Sequence, residues 1–175
     1  MTKTRKNSAL NMMIVLVGVC FVSAAVLGAV HSITEEKIKE NKKKVIKEAV
    51  FGVLPGITSY EKINAEPVIF RGKTENSTAG YAVLAEGMGF QGYITLMVGV
   101  GPDLDIMTGV IVLDSVETPG LGDRIKGDDF CRQFRKMNVP LSDGIKVNAI
   151  TGATISSVAV EKIVNRALED VKRIR

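Results

Sequence analysis

Two short stretches hold the residues whose types and spacing could do chemistry. The first, Asn148-Ala149-Ile150-Thr151-Gly152-Ala153-Thr154-Ile155-Ser156-Ser157, places four hydroxyls around a Gly-Ala corner. Its pattern reads as the end of a strand, a tight turn at Gly152 and Ala153, and a helix that begins near Thr154. The free N–H groups at a helix start, together with the macrodipole, favour an anion there. Small residues let a phosphate come close to the backbone, and Thr151, Thr154, Ser156 and Ser157 add hydroxyl donors. The plainer reading is that Thr154 or a neighbour only caps the helix, worth about 1 kcal/mol. The residues alone leave both readings open.

The second stretch is Glu117-Thr118-Pro119-Gly120-Leu121-Gly122. Pro-Gly suits the central pair of a type II turn, because Pro presets φ and Gly takes the left-handed position. This is either a turn with an exposed carboxylate, or a loop that brings backbone N–H groups, Thr118 and an apolar Leu121 against a planar ligand. As a turn alone it is the commoner case.

Other motifs fall away. Gly87-Met88-Gly89-Phe90-Gln91-Gly92 matches the glycine spacing of a dinucleotide fingerprint, but a strand sequence, Tyr93-Ile94-Thr95-Leu96-Met97-Val98, follows where a helix is required. These glycines read as a tight connection between strands, with Gly supplying positive φ. Two cysteines and one histidine make no cluster for zinc, haem or iron–sulfur ligation. Cys20 lies in an apolar run far from Cys131, so no disulfide and no metal is expected, and any redox chemistry must come from an organic cofactor or from partners.

The elements that position these stretches begin with an anchor. The chain has 175 residues, enough for one ordinary domain and a membrane segment. Residues 9–30, ALNMMIVLVGVCFVSAAVLGAV, carry no charge and would form a helix of roughly 33 Å, about one hydrocarbon core. Lys3, Arg5 and Lys6 precede it, which predicts a cytoplasmic N-terminus and an extracytoplasmic domain, although the following segment is also rich in Lys. The competing reading is a cleaved signal peptide using Ser23 and Ala25, against which stands the length of the run. The formal net charge of +4 is modest and clusters about the apolar run, so membrane lipid rather than nucleic acid is the expected partner.

Thr34 to Val50 reads as a helix leaving the membrane, with Glu35–Lys39 and Glu40–Lys44 spaced as i,i+4 pairs, ended by Gly52 and Pro55-Gly56. Strands are predicted at Pro67–Arg71, Gly80–Glu86, Gln91–Val100 and Ile106–Leu113, in an antiparallel meander. A helix over Asp128–Met137, a strand over Ile145–Ile150 and a closing helix over Ile155–Arg175 complete the set. Ile155, Val158, Ala159, Ile163, Ala167, Leu168, Val171 and Ile174 fall on one face of that last helix. The fold class is therefore α+β: a single transmembrane helix, then an antiparallel sheet with packed helices. The expected organisation is a cytoplasmic N-terminus over 1–8, an anchor over 9–30, a stalk helix and linker over 31–56, and the extracytoplasmic domain over 57–175.

Together, the two stretches resemble the FMN-binding domain family found in the G subunit of Rnf complexes and in the C subunit of the sodium-translocating NADH:quinone reductase. Thr151-Gly152-Ala153-Thr154 is similar to that family's flavinylation motif, Glu117 to Gly122 to its flavin loop, and Gly80-Tyr81 with Gly89–Gly92 to the strand region between. The short anchor and the loop sequence resemble the Rnf protein more. The resemblance implies FMN joined by a phosphoester to Thr154 by a dedicated flavin transferase. It places Thr151, Gly152, Ala153, Ser156 and Ser157 around the phosphate, and Glu117, Thr118, Leu121 and Gly122 near the ring. Where the family motif begins with Asp, this sequence has Asn148, similar in size and with one carbonyl acceptor. The implied role is an electron relay within an ion-translocating ferredoxin:NAD oxidoreductase in the cell (inner) membrane, beside the other membrane and redox subunits of the Rnf complex, and not catalytic alone. The alternatives are a flavinylated component of a quinone reductase or of an extracellular electron-transfer system, an assembly protein without flavin, and a secreted protein that binds FMN or another phosphate ligand reversibly.

Overall fold

The computed structural model describes residues 3–63, 66–75, 77–139 and 146–174. The chain divides into two compact units, Met1–Lys44 and Val45–Arg175. Helix α1, Lys3–Val53, contributes to both. In the first unit its apolar side chains are exposed, Phe21 at 75 %, and the helix is long and apolar enough to cross a membrane. Lys39 and Glu35 form the predicted ion pair at 2.6 Å.

The second unit is built on a five-stranded antiparallel meander: β1 Ser59–Ile63, β2 Ile69–Lys73, β3 Thr78–Met88, β4 Tyr93–Val100 and β5 Met107–Ser115, in sequence order across the sheet. The four predicted strands correspond to β2 to β5. The first strand was not expected, because Ser-Tyr-Glu-Lys-Ile shows no apolar alternation. It is an edge strand held by the sheet ladder to β2, by Tyr60 stacked edge-on against Phe70 at 5.7 Å, and by a Lys73–Glu61 ion pair at 2.6 Å.

Both faces of this sheet are covered. On one, the last turns of α1 bring Val50, Val53 and Leu54 against Phe70, Ala82 and Met97. Gly52, predicted to end the helix, lies inside it, and α1 stops one residue later. The glycine gives the sheet close approach, since a Cβ there would come within 2.6 Å of Ile111 Cδ1 and that side chain would have to shift. Gly99 on β4 has the same purpose: a Cβ would meet Val53 O at 2.6 Å. On the other face lies α3, Thr154–Ile174, whose Val160, Ile163, Val164, Ala167, Leu168 and Val171 pack on Val83, Ile94, Leu96 and Val98. Each fully buried valine is worth about 1.5–3 kcal/mol of removal from water.

Three predicted elements come out differently. The helix over Asp128–Met137 is only α2, Asp128–Cys131, followed by a 3-10 turn at Arg132–Phe134. The chain then leaves the helix because residues 136 and 137 pair with the start of β5, Lys136 N donating to Met107 O and Met107 N to Met137 O. Of the strand over Ile145–Ile150, Ile145 lies outside the described residues and 146–150 form no strand. Side chains take up this backbone instead. Asn148 N donates to Gln133 Oε1 at 2.8 Å, and Ile150 N donates to Ser157 Oγ at 3.0 Å. Finally, the inward stripe of α3 is rotated in its first turn. Ser156 and Ser157 are buried there, while Ile155 and Val158 are exposed.

Candidate functional site

Two turns of the same design face each other at one end of the sheet. In Thr118-Pro119-Gly120-Leu121, Leu121 N donates to Thr118 O at 3.1 Å. Gly120 has φ of +75°, the left-handed third position that the Pro-Gly pair predicted. In Ile150-Thr151-Gly152-Ala153, Ala153 N donates to Ile150 O at 2.9 Å and Gly152 has φ of +84°. The turns touch at Gly152, where a Cβ would lie 2.9 Å from Leu121 Cδ1. A larger residue at 152 would need the Leu121 side chain to shift and would sit at a left-handed φ.

Between them opens a cleft of about 360 Å³ lined by Phe90, Glu117, Thr118, Leu121, Gly122, Gly152, Ala153, Thr154, Ile155 and Ser156. The structure thus gathers Glu117, Thr118, Leu121 and Gly122 with Gly152, Ala153, Thr154 and Ser156, although a long stretch of chain separates the two groups. Thr151 is exposed on the turn but outside the cleft lining, and Ser157 is buried beneath it.

Thr154 is the first residue of α3 and is exposed. Ala153 occupies the N-cap position and has no side-chain oxygen, so the N-cap is filled by neither Thr154 nor another hydroxyl of the motif. Ser157 N takes the first backbone bond of the helix, to Ala153 O at 3.0 Å. The N–H groups of Thr154, Ile155 and Ser156 have no carbonyl one turn back within the helix, which leaves a partial positive charge beside the Thr154 hydroxyl.

The serines do a different job from the one anticipated for their hydroxyls. Ser156 Oγ donates to Glu117 Oε2 at 2.8 Å. Ser157 Oγ donates to Ala153 O at 2.9 Å and accepts from Ile150 N. Both are engaged inside the protein. Glu117 also differs from the exposed carboxylate of the plain turn reading. It is 6 % exposed, and its Oε1 accepts from Phe90 N at 2.7 Å and from Gln91 N at 3.4 Å.

The glycines of the β3–β4 connection were predicted to supply positive φ, and none of Gly87, Gly89 and Gly92 does so. They are there for close approach. A Cβ at Gly87 would lie 2.6 Å from Ile163 Cγ1 and one at Gly92 2.8 Å from Val116 Cβ, while one at Gly89 would overlap Glu117 Oε1. Two cleft residues were missed by sequence reasoning, Phe90 and Ile155. Phe90 looked like a turn residue, and helical periodicity assigned Ile155 to the core. The available signal was an apolar residue between glycines and another directly after a small-residue corner.

A family model described as an FMN-binding domain matches residues 89–169, which includes every residue of the cleft. The chain is 31 % identical over 159 residues to the G subunit of the proton-translocating ferredoxin:NAD(+) oxidoreductase complex of Clostridium ljungdahlii, covering 87 % of this chain and 85 % of that one. It is 32 % identical over 174 residues to the G subunit of the ion-translocating oxidoreductase complex of Methanosarcina acetivorans, covering 90 % and 92 %. The chain belongs to the G-subunit family of ion-translocating oxidoreductase complexes.

The crystal structure of the C subunit of the Na(+)-translocating NADH-quinone reductase from Parabacteroides distasonis shares the fold of this G-subunit family member, with a TM-score of 0.53, 22 % identity and 61 % of each chain covered. The fold class expected from the sequence is therefore the one found, a long apolar N-terminal helix followed by an antiparallel sheet with packed helices. The cleft of this G-subunit family member fits a flavin mononucleotide on three local observations. Gly152 takes the left-handed φ of the turn and adds no bulk beside Leu121, Ala153 gives the start of α3 no side-chain cap among the described residues, and apolar side chains at Phe90, Leu121 and Ile155 suit a planar aromatic ring.

Proposed function

We propose that this chain carries FMN joined through its phosphate to Thr154 Oγ1, and relays electrons within a membrane-bound ferredoxin:NAD oxidoreductase that moves Na+ or H+. The observation that carries the reading is the exposed Thr154 hydroxyl at the uncapped start of α3, on the wall of a cleft with apolar sides. Membership in the G-subunit family and the match to an FMN-binding domain support it.

Each residue then has a task. Thr154 tethers the phosphate, a link made by a flavin transferase because an unactivated hydroxyl is a poor nucleophile. Backbone N–H groups of Thr154, Ile155 and Ser156 face the remaining negative charge, which the helix start favours. Gly152 and Ala153 keep the approach to the backbone clear, and Thr151 stands on the outer side of the turn. Thr118, Leu121, Gly122, Phe90 and Ile155 border the ring, which supplies the redox chemistry when bound. A covalent tether keeps the cofactor in place even where the ring is open to solvent and to a neighbouring redox protein.

We place the N-terminus in the cytoplasm, a single anchor over 9–30, the stalk over 31–56, and the domain over 57–175 outside. Lys3, Arg5 and Lys6 before the apolar run support that orientation. The function is tested by the intact mass of the wild type and of Thr154→Ala, each produced with the flavin transferase. The wild type gains the mass of an FMN phosphoester and the variant gains none. A wild type with no flavin on any residue would remove the basis of the reading.

A further inference from the structure

Glu117 is a buried carboxylate with more bonding than a turn residue needs. It joins three chain segments far apart in sequence: the connection between β3 and β4 through Phe90 N and Gln91 N, its own loop after β5, and the first turn of α3 through Ser156 Oγ. Two glycines enclose it. Gly89 abuts Oε1, and a Cβ on Gly122 would lie 2.7 Å from Oε2 and 3.0 Å from Ser156 Oγ. Turning the carboxylate away would leave the hydroxyl of buried Ser156 and the part-buried Phe90 and Gln91 N–H groups without these acceptors, which is costly.

The three segments it joins all line the cleft, with Phe90 from the β3–β4 connection, Thr118, Leu121 and Gly122 from its own loop, and Thr154 and Ile155 from α3. We propose that Glu117 is a positioning residue for the flavin: its carboxylate clamps the Phe90 connection to the start of α3 and so fixes the Thr154 hydroxyl relative to the cleft walls. This rests on the FMN reading of the same cleft, but the clamp itself is a property of the chain without cofactor.

The geometry also predicts which replacement preserves it. A glutamine at 117 has one carbonyl oxygen to accept from Phe90 N and Gln91 N, and an amide that can donate to Ser156 Oγ once that hydroxyl turns round. Alanine at 117 removes all three bonds. Ser156→Ala removes only the link to α3.

The test uses the full chain with the flavin transferase and compares wild type, Glu117→Gln, Glu117→Ala and Ser156→Ala. Flavin attached per chain is read by intact mass at limiting transferase. The environment of the attached flavin is read by its visible circular dichroism. We expect Glu117→Ala to lower attachment by on the order of tenfold and to flatten the visible signal, Glu117→Gln to recover most of both, and Ser156→Ala to lie between. Before flavin is added, Phe90 and Gln91 amide hydrogens exchange on the order of tenfold faster in Glu117→Ala than in the wild type, from the lost charge-assisted bonds. Wild-type attachment and an unchanged visible signal in Glu117→Ala would overturn the proposal. If that variant does not fold, Ser156→Ala decides: an unaltered flavin signal there overturns it equally. Absence of flavin from the wild type, with amide protection still dependent on Glu117, would instead sink the FMN reading and leave the clamp standing.

Discussion

Ile155 and Ser156 are neighbours in the first turn of α3 with opposite exposure: Ile155 is 59 % exposed in the cleft lining and Ser156 is 3 % exposed and bonded to Glu117. A helix turns by about 100° per residue, so adjacent positions need not share a surface. Here the polar one faces in and the apolar one faces out, the reverse of an ordinary core helix. That reversal marks the first turn of α3 as part of a site, while the rest of α3 follows normal packing.

The apolar residue at 155 should therefore contribute little to stability. Ile155→Ala is expected to change unfolding free energy by less than about 0.5 kcal/mol, as for an exposed site. Phe134→Ala, at a fully buried position in the core on the α3 side, should cost about 3–5 kcal/mol. Denaturant midpoints of the two variants measured together check the contrast, and similar losses would contradict the placement of Ile155.

Thr154→Ala should remove flavin without unfolding the domain. The side chain is exposed and alanine is a good helix former. Its stability without flavin, read from the denaturant midpoint, should match the wild type to within about 0.5 kcal/mol, while the fluorescent flavin band on a denaturing gel disappears.

Gly152→Ala should act on both stability and site. A left-handed φ costs a non-glycine residue about 1–2 kcal/mol, and the added Cβ would press on Leu121. Reduced stability together with reduced flavin per chain is expected. Gly120→Ala carries only the backbone cost, because nothing lies near its Cβ. Comparing the two by unfolding and by intact mass separates strain from crowding.

Cys131 gives a pH-dependent prediction. Burial pushes its thiol pKa up from the usual value. The folded state therefore holds that proton more tightly than the unfolded chain. The associated stability is complete below the unfolded thiol pKa and is lost as pH rises through the raised folded value. At a mildly alkaline pH, native protein should resist iodoacetamide at Cys131 and react there after denaturation, with peptide mass mapping as the readout. Rapid labelling of the native chain would refute the burial.

Orientation is open to a direct check. A C-terminal alkaline phosphatase fusion should be active and a green fluorescent protein fusion dark, as expected for an extracytoplasmic domain. The opposite pair of results would invert the proposed topology.

The sequence by itself determined the elements whose causes are local. An uncharged run makes an apolar helix, β-rich runs between turn residues make β2 to β5, Pro119-Gly120 makes its turn, and Gly152 makes the corner before α3. Those local signals also brought out most of the cleft lining, because glycine and small-residue corners depend on φ and bulk that can be read from residue type. Tertiary structure decided what depends on contacts between distant segments. It placed Gly52 inside a helix against Ile111, gave the residues around Asn148 to side-chain partners instead of a strand, turned Ile155 outward, and bonded the buried Glu117 to Ser156 in the cleft lining. The physical reason is that a buried polar group must find its partner wherever the fold supplies one, and that partner can lie 39 residues away in the chain.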